Sequence, residues 1–291
     1  MLDFSTIVTN VLAAELYWLN NHWLCWGLGP LLAAAYGFLV PTVLLEYSLH
    51  KEKLYSKVYV QKNLIEYRTS KNGRIADIAA CQNKRSFSQQ LTDSASLLLG
   101  FGAIVNGITS ALLCDYFIPT VKYENPLPCL YGALAHLALM FIVGDFFLYW
   151  GHRIQHESEF LWKHFHSYHH QIDTPTAVST LSIDTVDATL QGGLPLIFAA
   201  ILIHPHPITF YAYVFLRLCD NVVNHSGLKN QFYTDLLALK FLPFRASAGH
   251  HDYHHKFSNY SKNAKNYAEY FLVWDQVFGT MTDVSRLQKS E

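Results

Sequence analysis

Histidine occurs 16 times in these 291 residues, and 13 of the 16 lie beyond residue 150. Their spacing is patterned. HRIQH at 152–156 sets His152 and His156 four residues apart, while HSYHH at 166–170 and HDYHH at 251–255 repeat one another as His-x-x-His-His. Positions i, i+3 and i+4 lie along one helix face. His166, His169 and His170 are therefore expected to project toward a common point, as are His251, His254 and His255. His225, in NVVNHSG at 221–227, is the natural ninth member. Clustered imidazoles disfavour one another's charged forms, and the neutral ring is the commonest metal ligand. Eight patterned histidines can supply two metals with about four ligands each. All-imidazole ligation suits iron, zinc, copper or nickel rather than magnesium or calcium. A zincin site is excluded, because His156-Glu157 continues as SEF and no H-E-x-x-H occurs. The Glu and Glu-x-x-His ligands of soluble di-iron bundles are absent as well.

The elements that must position these rings belong to a membrane protein. Charged residues make up 15% of the chain and hydrophobic ones 51%, with a net charge of −1. Nothing in that balance gives a basic field for nucleic acid. Trp23–Leu45, Ser94–Leu113 and Cys129–Trp150 are each long enough to cross a hydrocarbon core of about 30 Å, with kinks expected at Pro30 and Pro41. Ala188–Ile203 and Ile208–Leu218, closed by Arg217, are shorter runs joined by HPHP at 204–207, which predicts a helical hairpin. Phe4–Leu19 reads as an interfacial helix. The polar stretch 61–93 reads as a loop carrying short helices. Five scattered cysteines with no C-x-x-C pair read as core or lipid-facing thiols. Met1 to Leu19 lacks a basic start and contains Asp3 and Glu15, so no cleavable signal peptide is expected.

Lysine and arginine placement suggests an orientation. Residues 51–85 hold nine of them, residues 1–22 none, and the 114–128 loop only Lys122. The positive-inside rule puts 46–93 in the cytosol. Counting spans forward puts 151–187 and 219–291 on the same face, with every histidine motif. The expectation is an all-α integral membrane protein of about four transmembrane helices, two of them a hairpin, with a cytosolic histidine-rich helical cap. Its parts are a membrane and loop region at 1–128, a catalytic domain at 129–281 and a tail at 282–291.

HRIQH, HSYHH and HDYHH resemble the three histidine boxes of the fatty acid hydroxylase/sterol desaturase superfamily, the membrane histidine-box di-iron oxygenases. NHSG at 224–227 and VWDQVFGT at 273–280 resemble further landmarks of that family. The similarity covers about residues 130–281 and is nearest to the sterol C4-methyl oxidase-like branch. The resemblance implies an endoplasmic-reticulum enzyme with two non-haem Fe ions. It implies O2 as co-substrate and oxidation of an unactivated C–H bond of a lipid, a sterol first and a fatty acyl or sphingolipid chain second, by hydroxylation or desaturation. It implies His152, His156, His166, His169, His170, His225, His251, His254 and His255 as ligands. Since no flavin, NAD or Cys-rich motif is present, an external electron donor such as cytochrome b5 or a ferredoxin-like protein is required. The basic stretch 51–85 suits an acidic donor and equally a plain cytosolic flank. A metal-binding membrane transporter is the non-enzymatic alternative.

One position departs from the family. Where some hydroxylases have a further histidine, this chain has Asn221, which leaves a water-bridged contact, an open position or weaker metal binding. Asp145, seven residues before His152 and about 10 Å along the helix, is an intramembrane acid. It could orient a ligand, line the substrate entrance or be a buried hydrogen-bonded group. Asp252 could hold a ligand imidazole by its second nitrogen. His250 and His164 fall outside the family's register, His204 and His206 lie at the hairpin tip, and His136 lies deep in a span. Asn224-His225-Ser226 is a sequon whose cytosolic position argues against glycosylation. GFGAIVNG at 100–107 lies within a span and is no dinucleotide loop.

Overall fold

The computed structural model describes residues 19–51, 85–122, 125–172, 175–226, 232–258, 260 and 264–282. The expected interfacial helix before residue 19, nearly all of the basic 51–85 stretch and the tail beyond 282 lie outside these. Helices dominate throughout, and the one pairing of extended backbone among the described residues is an isolated antiparallel bridge between Arg245 and Phe271.

Among the described residues, four stretches are long and apolar enough to cross a bilayer: Trp23–Tyr47, Ser88–Phe117, Leu130–Glu157 and Thr185–Ile203. A π-helical segment, Leu19–Leu28, leads into α1 (Gly29–Lys51), which runs through Pro41. The second span is two helices, α2 (Phe87–Leu99) and α3 (Phe101–Phe117), meeting at Gly100. Here residues 87–93 belong to the helix and not to a loop. A capping box explains the early start: the Gln89 backbone N–H donates to Ser86 Oγ, and the Ser86 N–H donates to Gln89 Oε1. Helix α4 (Leu130–Glu157) carries the first histidine box out of the third span without a break. Large apolar side chains such as Tyr36, Phe101, Leu134 and Leu202 point outward from these spans, as lipid contact requires.

The turn forms as expected, but its two flanking helices pack on other spans, Leu194–Ile203 chiefly on α4 and Pro207–His225 on α1, rather than on each other. Helix α5 (Leu194–Ile203) ends on His204 in the left-handed conformation (φ 52°), and α6 (Pro207–His225) starts with Pro207 in its first turn. His206 caps α6, accepting from the Ile208 N–H at 3.2 Å while its Nε2 contacts the Asn125 carbonyl at 3.1 Å. Both tip histidines are therefore structural. Arg217 does not end α6; it is buried mid-helix and paired with Asp220 and Glu269, so the helix outlasts its apolar run and delivers His225. Backbones approach closely where glycines allow it. A Cβ at Gly37 of α1 would lie 2.6 Å from the Phe215 carbonyl of α6, and one at Gly151 of α4 would lie 2.5 Å from the Leu190 carbonyl. Short helices α7 (Phe232–Leu237), α8 (Ala248–Phe257) and α9 (Val273–Val277) complete the cap.

Candidate metal centre

The nine patterned histidines come together as two clusters. His152, His156, His166, His170 and His254 form one, and His169, His225, His251 and His255 the other; within each, the prospective ligand atoms lie within 4.8 Å of one another. Ions held at about 2.1 Å from imidazole nitrogens bring ligands to roughly such separations. The expectation that each trio meets at a single point is corrected. His166 and His170 go to the first cluster while His169 crosses to the second; His251 and His255 go to the second while His254 crosses to the first. Helical geometry permits the division, since i and i+4 differ by about 40° around the axis but i+3 and i+4 by about 100°. The clusters share a wall: the rings of His170 and His255, one from each, stack at 4.8 Å.

Ring hydrogens are assigned by the groups behind them. Nδ1 of His152 faces the Tyr267 carbonyl at 2.9 Å, His254 that of Lys265 at 2.7 Å and His255 that of Ile172 at 2.9 Å. His169 faces Ser182 O at 3.2 Å and His225 faces Asn221 O at 2.8 Å. His166 faces Asp187 Oδ2 at 2.8 Å. Each acceptor takes a hydrogen and gives none, so Nδ1 is the protonated nitrogen and Nε2 presents a lone pair. These lone pairs then confront one another. His225 Nε2 lies 3.2 Å from His169 Nε2, and in the other cluster the Nε2 lone pairs of His166 and His254 both point at His156 Nε2, at 2.9 and 3.1 Å, where a single hydrogen can serve only one of them. Bare lone pairs at that distance repel, and a cation between them removes the repulsion. The donor set thus fits two imidazole-bound metals. Burial, with neighbouring imidazoles adding to it, holds His166, His170, His251, His254 and His255 well below the usual histidine range. His169 is lowered to about 4. The rings are therefore neutral, the form that binds metal.

The supporting residues differ from those the sequence suggested. Asp252 is buried, but the second nitrogens of His254 and His255 go to main-chain carbonyls, and His251 Nδ1 has no hydrogen-bond partner. Asp187 is a carboxylate that does hold a ligand ring, and no spacing rule marks it. Asp145 neither orients a ligand nor touches one; it accepts the backbone N–H groups of Tyr270 (3.1 Å) and Phe271 (2.8 Å). Asp275, from the VWDQVFGT landmark, accepts from the backbones of Tyr267 and Ala268 and from Thr280, and lies 2.9 Å from His250 Nε2. These two acids clamp the 264–271 segment, which supplies the carbonyls behind His152 and His254. His250 is thereby committed to Asp275 and stands outside both clusters. His164, against the Phe160 carbonyl, and His136, within α4, stand outside them too. Asn224 is buried, donating to the Glu269 carbonyl and accepting from Lys240, so the sequon is inaccessible. Asp93 accepts from Tyr168 and Ser182 and pairs with Arg85, which ties α2 to the loop behind His169.

A cavity reaches the second cluster at His169 and His225. Its walls come from the spans and are mostly apolar. Asn221 lines it beside His225, with a buried Oδ1 that has no hydrogen-bond partner. The cluster with four imidazoles rather than five is therefore the one that meets the cavity.

A helical membrane protein with two adjoining histidine clusters, one of which meets an apolar cavity, is the class these features define. Residues 137–280 match the fatty acid hydroxylase family, and the chain carries a domain of that family. Over 168 residues it is 34% identical to methylsterol monooxygenase 2-2 of Arabidopsis thaliana, covering 58% of this chain and 60% of that protein. Over 163 residues it is 33% identical to very-long-chain aldehyde decarbonylase GL1-11 of Oryza sativa subsp. japonica, covering 56% and 58%. The chain thus spans less than two thirds of the length of these relatives. No solved structure matches it.

Proposed function

We propose that this chain is a membrane-bound oxidoreductase that uses two non-haem iron ions and O2 to oxidise a C–H bond of a lipid, a sterol bearing a methyl substituent being the leading substrate. The observation that carries this reading is the pair of inward-facing imidazole sets, one of which meets an apolar cavity. When bound, the two irons supply the reduction of O2 and the oxidising power for the C–H bond. The chain's own residues do the rest. Main-chain carbonyls and Asp187 fix the hydrogen of six of the nine rings, so that their Nε2 faces the metal. The cavity wall aligns the lipid and excludes water from the four-histidine cluster. Lateral entry of a lipid from the bilayer suits walls built from span residues.

Electrons come from a separate donor of the cytochrome b5 kind. The endoplasmic reticulum is the proposed membrane, with the histidine cap facing the cytosol. Accessibility labelling of residues 60–90 and 260–291 in sealed microsomes should report the same side. The aldehyde decarbonylase relatives favour a second reading, an acyl-lipid substrate. Detergent-purified protein should contain about two metal ions per chain and convert a methylsterol in an O2-dependent reaction. A folded protein with near-zero metal would rule the function out, and metal without O2-dependent oxidation would favour a metal transporter.

A further inference from the structure

The inner end of the cavity is polar in a specific way. Gln191 is 6% exposed and lines it; its Nε2 donates to Glu269 Oε1 at 2.5 Å. The other Glu269 oxygen accepts from Arg217 at 3.1 Å. A carboxylate cannot donate, so the Gln191 amide is fixed with its NH2 toward Glu269, and its Oε1, which has no partner, is left over. Arg217, 3% exposed, uses NH1 on Asp220 and NH2 on Glu269, leaving Nε without a partner. Asn221 Oδ1 is the third buried atom in the same position. All three residues line the one cavity. Buried polar groups without partners are rare and costly in folded proteins; two of these three stand on α6 within two turns of His225, and a fourth such atom, Ser110 Oγ, lines the cavity from α3.

We infer that Gln191, Asn221 and Arg217 form a hydroxyl-binding subsite, so that the lipid is held hydroxyl-first with its reacting carbon close to that hydroxyl. Two unpaired acceptors and one unpaired donor match a group that both gives and takes a hydrogen bond. A hydroxyl does both. An ionised carboxylate has no hydrogen to give and would lie beside Glu269, while an aldehyde or thioester carbonyl only accepts. Helix α6 sets the spacing. At 1.5 Å per residue, Asn221 lies about 6 Å and Arg217 about 12 Å along the axis from His225. Farther along α6 from His225 come Val214 and Phe210, apolar residues that also line the cavity. A hydroxyl bound among the polar three therefore keeps the neighbouring carbons, and not the far tail, at the metal cluster.

This subsite deepens the lipid-oxidation reading and rests on it, but its test is equilibrium binding. Detergent-purified holoprotein would be titrated with a methylsterol carrying a free ring hydroxyl, with the O-methyl ether of the same sterol, and with palmitate. The alcohol should bind about 10- to 100-fold more tightly than its ether. Gln191→Leu should shrink that gap to about threefold or less while the iron content stays at the wild-type level. Comparing two ligands on the unchanged protein keeps the test valid if the variant does not fold. Equal binding of alcohol and ether to the wild type, a gap unchanged in folded Gln191→Leu, or palmitate binding more tightly than the alcohol would overturn the subsite. Failure of the oxidation reading would appear separately, as absent iron or absent O2-dependent product.

Discussion

Replacing Asp187 by Asn and by Ala separates the charge behind His166 from the hydrogen bond it makes. Both side chains are fully buried, and Nδ1 and Oδ2 are 2.8 Å apart. Asn keeps an oxygen that can accept from Nδ1–H but removes the negative charge that strengthens the ring as a ligand. Ala leaves a buried N–H without a partner, which costs about 1–3 kcal/mol, and frees the ring to turn. Changes to such partners cost roughly 10- to 100-fold in metal affinity. Asn is therefore expected near the low end and Ala near the high end, about 1.4 and 2.7 kcal/mol. The loss should be confined to the five-histidine cluster. The assay is a chelator titration of purified protein, with retained iron measured by elemental analysis. Asp187→Ala should release one ion well before the other. In a His169→Ala background, where the four-histidine cluster is already crippled, adding Asp187→Ala should strip the remaining iron. If Asp187→Ala holds both ions as tightly as wild type, or if the double variant keeps its remaining ion, the assignment of Asp187 and the five–four division both fall.

Four other outcomes are expected. His169→Ala should lose iron from one cluster and abolish turnover at normal membrane levels. His250→Ala should keep its iron and be destabilised by about 1–3 kcal/mol through the lost Asp275 contact, as read by thermal shift; a metal-free His250 variant would place the third box one residue out of register. Acidification should release metal and then unfold the apoprotein. The cluster rings are held neutral in the fold but bind protons readily once unfolded, so their stabilisation is complete above about pH 6.5 and is lost as pH falls toward about 4, where His169 titrates. Apoprotein stability that is flat across that window would contradict the neutral-ring assignment. Gly151→Ala should push the Leu190 carbonyl away, costing about 1–3 kcal/mol and weakening lipid binding through the adjacent Gln191; an unchanged melting temperature would show that this helix contact yields.

The helices and the nine histidines were legible because each rests on a local rule: apolar run length, or i, i+3, i+4 spacing. The division of each trio was not, since spacing places the rings on one helix face but says nothing of what stands opposite. His169 and His254 cross because the second and third boxes face each other, which is a tertiary fact. Asp187 sits in an unremarkable SIDTVDATL stretch and was invisible for the same reason. Asp145 stood out as an acid in a span, yet its partners are backbone N–H groups 125 and 126 residues later. Arg217 was read as the end of an apolar run because a buried Arg is affordable only beside Glu269 and Asp220, one of them remote in sequence. The polar residues 87–93 fold as helix because Ser86 and Gln89 cap one another, a motif that composition alone obscures.

Of the six ring nitrogens in the two clusters that face a described acceptor, five point at main-chain carbonyls, those of Tyr267, Ser182, Asn221, Lys265 and Ile172, and one at a side chain, Asp187. A point mutation can change any side chain but cannot delete a carbonyl. Tautomer control at five of those rings is therefore insulated from most single substitutions, and residues such as Lys265 are free to drift in identity as long as the backbone keeps its course. Insertions, deletions and prolines in the 264–271 segment are the changes that would disarm several ligands together.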